Sequence, residues 1–116
     1  MEQLNRIELR GNVGYVRLSR VGEDSQVVNF SVATTYVYKG RNGEAVMETT
    51  WHSVVMWNLK NMPDIDRLVK GCPVSVTGRV RANCYRSADG TDKTVYEVQA
   101  SKVELLEEQL TMQAGF

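Results

Sequence analysis

Apolar and polar residues alternate with a period of two through most of this chain, as in a strand whose side chains face opposite sides in turn. Residues 5–20, NRIELRGNVGYVRLSR, set Ile7 and Leu9 against Arg6, Glu8 and Arg10 and then meet Gly11 and Gly14. A glycine inside a strand pattern marks a bulge or bend, so this stretch predicts one long, curving first strand. After the polar turn VGEDSQ, the run VVNFSVATTYVYKG is dense in β-branched and aromatic residues and predicts a second strand. Lys39-Gly40-Arg41-Asn42-Gly43 predicts a hairpin tip, and a third strand is expected to return from about Glu48 to Trp57.

The segment LKNMPDIDRLVKG breaks the alternation. Pro63 suits a first helical position, Asp64 and Asp66 suit the positive end of a helix dipole, and Gly71 suits a helix end. Ile65, Leu68 and Val69 have the spacing of an apolar helix face, so a short helix is expected here. Next, CPVSVTGRVRANCYR alternates regularly. Val74, Val76, Gly78, Val80, Ala82 and Cys84 fall on one side, read as core; Ser75, Thr77, Arg79, Arg81, Asn83 and Tyr85 fall on a wet side. Ser87-Ala88-Asp89-Gly90 predicts a second tip and KTVYEVQASKVEL a fifth strand. Five strands with one short helix between strands 3 and 4 is the element order of an all-β OB-fold, a small Greek-key barrel. Residues 1–104 are expected to form that domain and 105–116 a short C-terminal tail.

A chain of 116 residues, 42% apolar and 24% charged, fits one globular domain with a single core. The opening MEQLNRIELRG is charged from its second residue and shows no secretory apolar segment. No apolar run nears the roughly 20 residues that span a bilayer, so no membrane association and a cytoplasmic location are expected. Cys72 and Cys84 lack CxxC spacing and stand with a single histidine, too few soft ligands for a four-ligand zinc site. They read as small apolar residues in a reducing compartment, and no metal or other cofactor is expected.

Zero net charge at first speaks against a polyanionic partner. Its distribution softens that: Glu104, Glu107 and Glu108 take three of the 14 acidic side chains, leaving 11 in residues 1–103 against all 14 basic ones. A local basic stripe, not a basic total, is what a nucleic acid needs.

Catalysis finds little support. His52 is the only histidine, alternation turns it away from the tryptophan side, and no triad motif accompanies it. Asp64 and Asp66, two apart on a helix, would point about 200° apart, so a helix-start role accounts for them better than a metal or acid–base pair. Neither a GxxxxGK[ST] loop nor a GxGxxG fingerprint is present. An enzyme is not expected.

The aromatics carry more. TTWHSVVMWNL, residues 49–59, holds both tryptophans; Trp51, Ser53, Val55 and Trp57 share one side of a strand, and His52, Val54 and Met56 share the other. A tryptophan on a strand is ordinarily core, but the opposite side and the valines of the fourth strand already supply one. Tyr36 and Tyr38 share a side of the second strand, and Tyr85 shares one with Arg79 and Arg81. Aromatics recurring beside cations suit an unpaired strand, in which each base stacks on a ring for about 1–3 kcal/mol and each phosphate meets a charge. A duplex hides those base faces. Trp51, Trp57, Tyr38, Tyr85 and Tyr36 are the candidate stacking platforms; Arg79, Arg81, Arg86, Lys39 and Lys93, with Arg10 and Arg17 as secondary candidates, would neutralise phosphates. RNA could use the same platforms.

At NRIELRGNVG, VVNFSVAT, TTWHSVVMWN, LVKGCPVSVTGRVR and DGTDKTVYEV, spread over about residues 4–104, the sequence resembles the bacterial single-stranded DNA-binding protein family. The resemblance implies an OB-fold, base stacking on strands two to four, and sequence-independent protection of single-stranded DNA in replication, recombination and repair. It also implies a homotetramer paired through the first strand, where Arg10 and Arg17 could act structurally. By position, Trp51 matches a family tryptophan, Trp57 stands where phenylalanine is common, and Tyr38 and Tyr85 stand where tryptophans are common, with Tyr36 a neighbour. His52 matches a histidine associated with subunit contacts. Family members usually continue through a Gly/Pro-rich linker to an acidic tip that recruits replication and repair enzymes. Here EEQLTMQAGF keeps a final phenylalanine without linker or acidic cluster, which weakens the expectation of tail-mediated partners. The rival reading is a primosomal OB-fold adaptor, a dimer bridging single-stranded DNA and a helicase.

Overall fold

The computed structural model describes residues 1–22, 25–57 and 65–106. Five strands, β1 (Ile7–Val21), β2 (Ser25–Lys39), β3 (Ala45–Trp57), β4 (Pro73–Arg86) and β5 (Asp92–Leu105), close a barrel in the order β1-β2-β3-β5-β4. This is the expected all-β OB-fold. The third strand begins at Ala45 rather than Glu48, because the β2–β3 ladder runs without interruption to Lys39↔Ala45. All pairings are antiparallel except β3 with β5, which meet in parallel at Val54↔Val98 and Val55↔Gln99.

Between β3 and β4, the described helical part is a single 3-10 turn, Ile65–Arg67. Pro63 and Asp64, the expected helix start, lie outside the described residues. Leu68 is buried and Ile65 packs on the core, whereas Val69 is exposed. The helical turn ends at Arg67, before both Leu68 and Val69, so the apolar spacing read there is not one helix face.

Alternation builds the core directly. Val28, Phe30 and Val32 of β2, Val54 and Met56 of β3, and Val74 and Val76 of β4 all face inward and are almost wholly shielded. Each such side chain contributes about 1.5–3 kcal/mol on burial. The first strand bends as expected: its register with β2 shifts between Val13 and Val16. Gly14 sits at that bulge because a Cβ there would collide with the Trp51 ring and with Ser31 Oγ.

Outside the body, two hairpin arms continue. The β2–β3 arm reaches Lys39↔Ala45 and the β4–β5 arm reaches Arg86↔Asp92. The radius of gyration, 16.9 Å, exceeds the roughly 13 Å of a compact chain near this length. This corrects the reading of β4: Ala82 and Cys84, expected in the core, are exposed, and only Val74 and Val76 of their side are buried. The register with β5 shifts at Thr77/Gly78, the strand stays in the barrel through Val80, which faces the buried Val98, and from Arg81 onward every β4 residue is exposed.

Candidate nucleic-acid interface

Cross-strand partners share a face of a sheet, so the register shows which candidate residues lie together. Starting from β3, the outer face carries Trp57, Val55, Ser53 and Trp51, with Val27, Asn29, Ser31 and Ala33 opposite them on β2. The tryptophans are 61% (Trp51) and 45% (Trp57) exposed. Neither belongs to the core cluster, which is completed by aliphatics and Phe30 from the inner face. Between the two indoles on this face, Val55 is buried and Ser53 is exposed.

A line of paired positions crosses every strand at this level: Arg17 opposite Asn29, Asn29 opposite Val55, Val55 opposite Gln99, and Gln99 opposite Arg79. Arginines therefore end the row on both β1 and β4. Arg79 is held by a 2.5 Å hydrogen bond from Nη2 to Gln99 Oε1, and the two residues line a cleft of about 420 Å3 with Trp57 and Asn5. Asn5 is fixed in turn, donating to the Val80 carbonyl (2.7 Å) and accepting from its N–H (2.9 Å). A guanidinium has five N–H donors, so this tether leaves most of them for an anion beside the indole.

On the β4–β5 arm the same face continues with Arg81, Asn83 and Tyr85, opposite Glu97, Val95 and Lys93. Tyr85 and Lys93 are thus direct neighbours, as a stacking ring and a phosphate partner should be. Arg81 faces a carboxylate, which dilutes its positive potential. Arg86 is ion-paired with Asp92 at 3.3 Å, both side chains largely in solvent. Lys39 ends β2 on the Trp51 side of its arm, across from Ala45. Arg10 lies elsewhere, opposite Ser75 on the β1–β4 side, with Glu104 as Ser75's other neighbour.

Tyr36 and Tyr38 share a side, as expected, and stack with centroids 6.1 Å apart. That side is the one of Val28, Phe30 and Val32, opposite to the tryptophans. No single flat sheet face holds all five candidate rings. His52 also points to the inner side, where Nε2 and Thr34 Oγ1 are 2.9 Å apart.

Two exposed aromatics escaped the sequence reading. Tyr96, 70% exposed, lines a cleft of about 260 Å3 with Trp51, Ile7 and Val80 where β3 and β5 part. Tyr15, also exposed, stands on the β1 bulge near Trp51. Both fall in stretches that alternation treats as ordinary strand; the glycines before Tyr15 were the one available signal. Among the described residues, no group of His, Cys, Asp or Glu is placed to hold a metal ion, and no helix is long and apolar enough to cross a membrane.

The chain is similar to several known proteins. The single-stranded DNA-binding protein of Neisseria meningitidis serogroup A is 35% identical over 108 residues, covering 89% of this chain and 60% of that protein. The corresponding protein of Rickettsia felis is 32% identical over 98 residues, covering 82% of this chain and 64% of its own length. The chain thus spans about 60% of the N. meningitidis relative. A solved Plasmodium falciparum SSB complex with ssDNA superposes with a TM-score of 0.77 at 29% identity, covering 91% of this chain and 96% of that one. The single-strand binding protein family model matches residues 4–106, the whole barrel with both arms, and to that family this chain belongs.

Proposed function

We propose that this chain binds single-stranded DNA with little sequence preference and protects it during replication, recombination and repair. The observation that carries the reading is the outward exposure of Trp51 and Trp57 on the face where Arg79 is tethered. The family relatives named as single-stranded DNA-binding proteins, and the complex of the P. falciparum protein with ssDNA, support it.

In this reading Trp51, Trp57 and Tyr85 stack bases, with Tyr38 and Tyr36 engaging a strand that passes around the β2–β3 arm. Arg79, Lys93, Arg17 and Lys39 neutralise phosphates most directly; Arg81 and Arg86 do so after leaving carboxylate neighbours, and Arg10 contributes least. The chain acts by binding, without catalysis, as a homotetramer in the cytoplasm at the nucleoid. Residues 1–104 form the binding domain, and residues 105–116 follow it.

The test is quenching of tryptophan emission by oligo-dT, with duplex DNA and oligo-U as competitors. Strong quenching, poor duplex competition and a log–log salt slope of about −0.7 per phosphate neutralised are expected. A flat salt response, or equal competition by duplex, overturns the reading. Light scattering that gives a dimer, together with capture of a helicase, would favour the adaptor instead.

A further inference from the structure

We propose that the cleft beside the β1 bulge receives one unstacked nucleobase of the bound strand, with Trp51 and Tyr15 as aromatic walls and Lys70 meeting the adjoining phosphate. The inference rests on the single-strand reading above and adds to it a subsite and two residues outside the stacking and phosphate sets.

The cleft measures about 920 Å3, within the 300–1,000 Å3 of ordinary small-ligand sites. Its lining is mainly apolar, with Val16 and Leu68 at the back and Lys70 among the exposed residues. A flat, aromatic, partly polar group attached to an anionic chain matches that composition. An aliphatic occupant would leave the cation idle, and a free anion would leave both rings idle.

The walls are held by hydrogen bonds to the barrel. Val13 N–H donates to the Cys72 carbonyl (3.0 Å) and Gly71 N–H to the Val13 carbonyl (2.7 Å), joining the Lys70 side to β1. Asn12 Nδ2 adds a bond to the Gly71 carbonyl (3.1 Å). Across the cleft, Tyr15 N–H donates to Ser31 Oγ at 3.0 Å, which fixes the backbone of the bulge while the phenol stays half in solvent. The Trp51 ring lies against Gly14, the one residue type that lets it approach β1 so closely. A site with fixed walls loses little freedom when occupied. Continuity with Trp51 gives the occupant its source, since a base leaving that indole toward β1 enters here.

The test measures oligo-dT binding by wild type, Tyr15→Ala, Tyr15→Phe and Trp51→Ala, with thermal melts of each. Removing one stacking wall should weaken binding about five- to hundredfold, and Tyr15→Phe should restore it. Should Tyr15→Ala bind as wild type while Trp51→Ala is impaired, this subsite is wrong and the single-strand reading stands. If no variant binds differently from wild type, both fall. A Tyr15→Trp variant gives a readout that survives poor folding of the alanine form: its added emission should be quenched by oligo-dT. Unquenched added emission overturns the subsite.

Discussion

The barrel body and its two arms are made of the same strands, yet they obey different rules. In the body, one side of each strand meets a second layer, so Phe30 is 0% exposed while Ser53, on the neighbouring strand and opposite face, stays in solvent. In the arms both sides of a two-stranded ribbon are wet: Tyr36, Val37 and Tyr38 are consecutive and all exposed. The body owes its stability to burial. The arms owe theirs to ladder bonds, side-chain contacts such as the Tyr36–Tyr38 stack along β2, and the hairpin tips, and an isolated hairpin is marginal in water. Surface that no layer covers is free to meet a ligand.

The sharpest way to break this contrast is to truncate one ring in each region. Phe30→Ala should cost about 3–5 kcal/mol by leaving a cavity in a packed core, a large share of the 5–15 kcal/mol typical of a domain. Tyr36→Ala should change stability by no more than about 0.5 kcal/mol, as for an exposed residue. Urea denaturation of both variants checks this; equal losses would mean that the arm is part of the cooperative core.

Trp51→Ala sharpens the line between them, since Trp51 stands where body meets arm. Its stability loss should be small, whereas its oligo-dT affinity should fall by about 1–3 kcal/mol for one stacked base. The outcome that counts against an open indole is a variant that unfolds with no selective binding defect.

How much the sequence disclosed follows the same boundary. Period-two alternation located all five strands and selected Val54, Met56, Val74 and Val76 correctly, because in the body polarity and direction are coupled. It misassigned Ala82 and Cys84, since the same alternation continues along β4 after the barrel has ended. Nothing local marks where a strand leaves its layer: the register shift at Thr77/Gly78 comes before the last core pairing, Val80 with Val98, and Gly78 reads as one more small core residue. Trp51 and Trp57 were legible as a pair by even spacing. That Tyr36 and Tyr38 lie on the reverse side needs the β2–β3 register, a relation between two strands that the side-sharing of the two tyrosines along β2 does not contain. Tyr15 lay hidden because a bulge removes its residue from the alternation that would have placed it. Arg81 opposite Glu97 is a pairing across two strands, invisible along either.

Smaller effects test how the arms are held. Asp92→Ala removes the partner of Arg86 at the base of the β4–β5 tip. An exposed pair of this kind is worth about 0.2–1 kcal/mol, so the melting temperature should hardly move. Oligo-dT binding should strengthen slightly, because Arg86 is released for phosphate and one acidic charge is gone. Unchanged or weaker binding would remove Arg86 from the phosphate set.

The smallest expected effect lies at the tip itself, where Gly90 adopts φ +83°, a conformation that suits glycine. Asp89 Oδ1 accepts from Ser87 Oγ and from the Thr91 N–H, the latter at 3.0 Å. These bonds, the Ser87 hydroxyl first, hold the Asp89 carboxyl below the usual aspartate range. Both favour the ionised form, so their stabilisation is fully present above the pKa of the unfolded chain and is lost as pH falls through the lower folded value. A carboxyl titration by NMR should find the Asp89 midpoint below that of an unstructured aspartate, and Ser87→Ala should move it back up. The whole barrel should not feel the change, since the group is fully in solvent and the tip touches no core residue. A global melting temperature that tracked Asp89 protonation would show arm and body to be one cooperative unit, and the division between them would have to be abandoned.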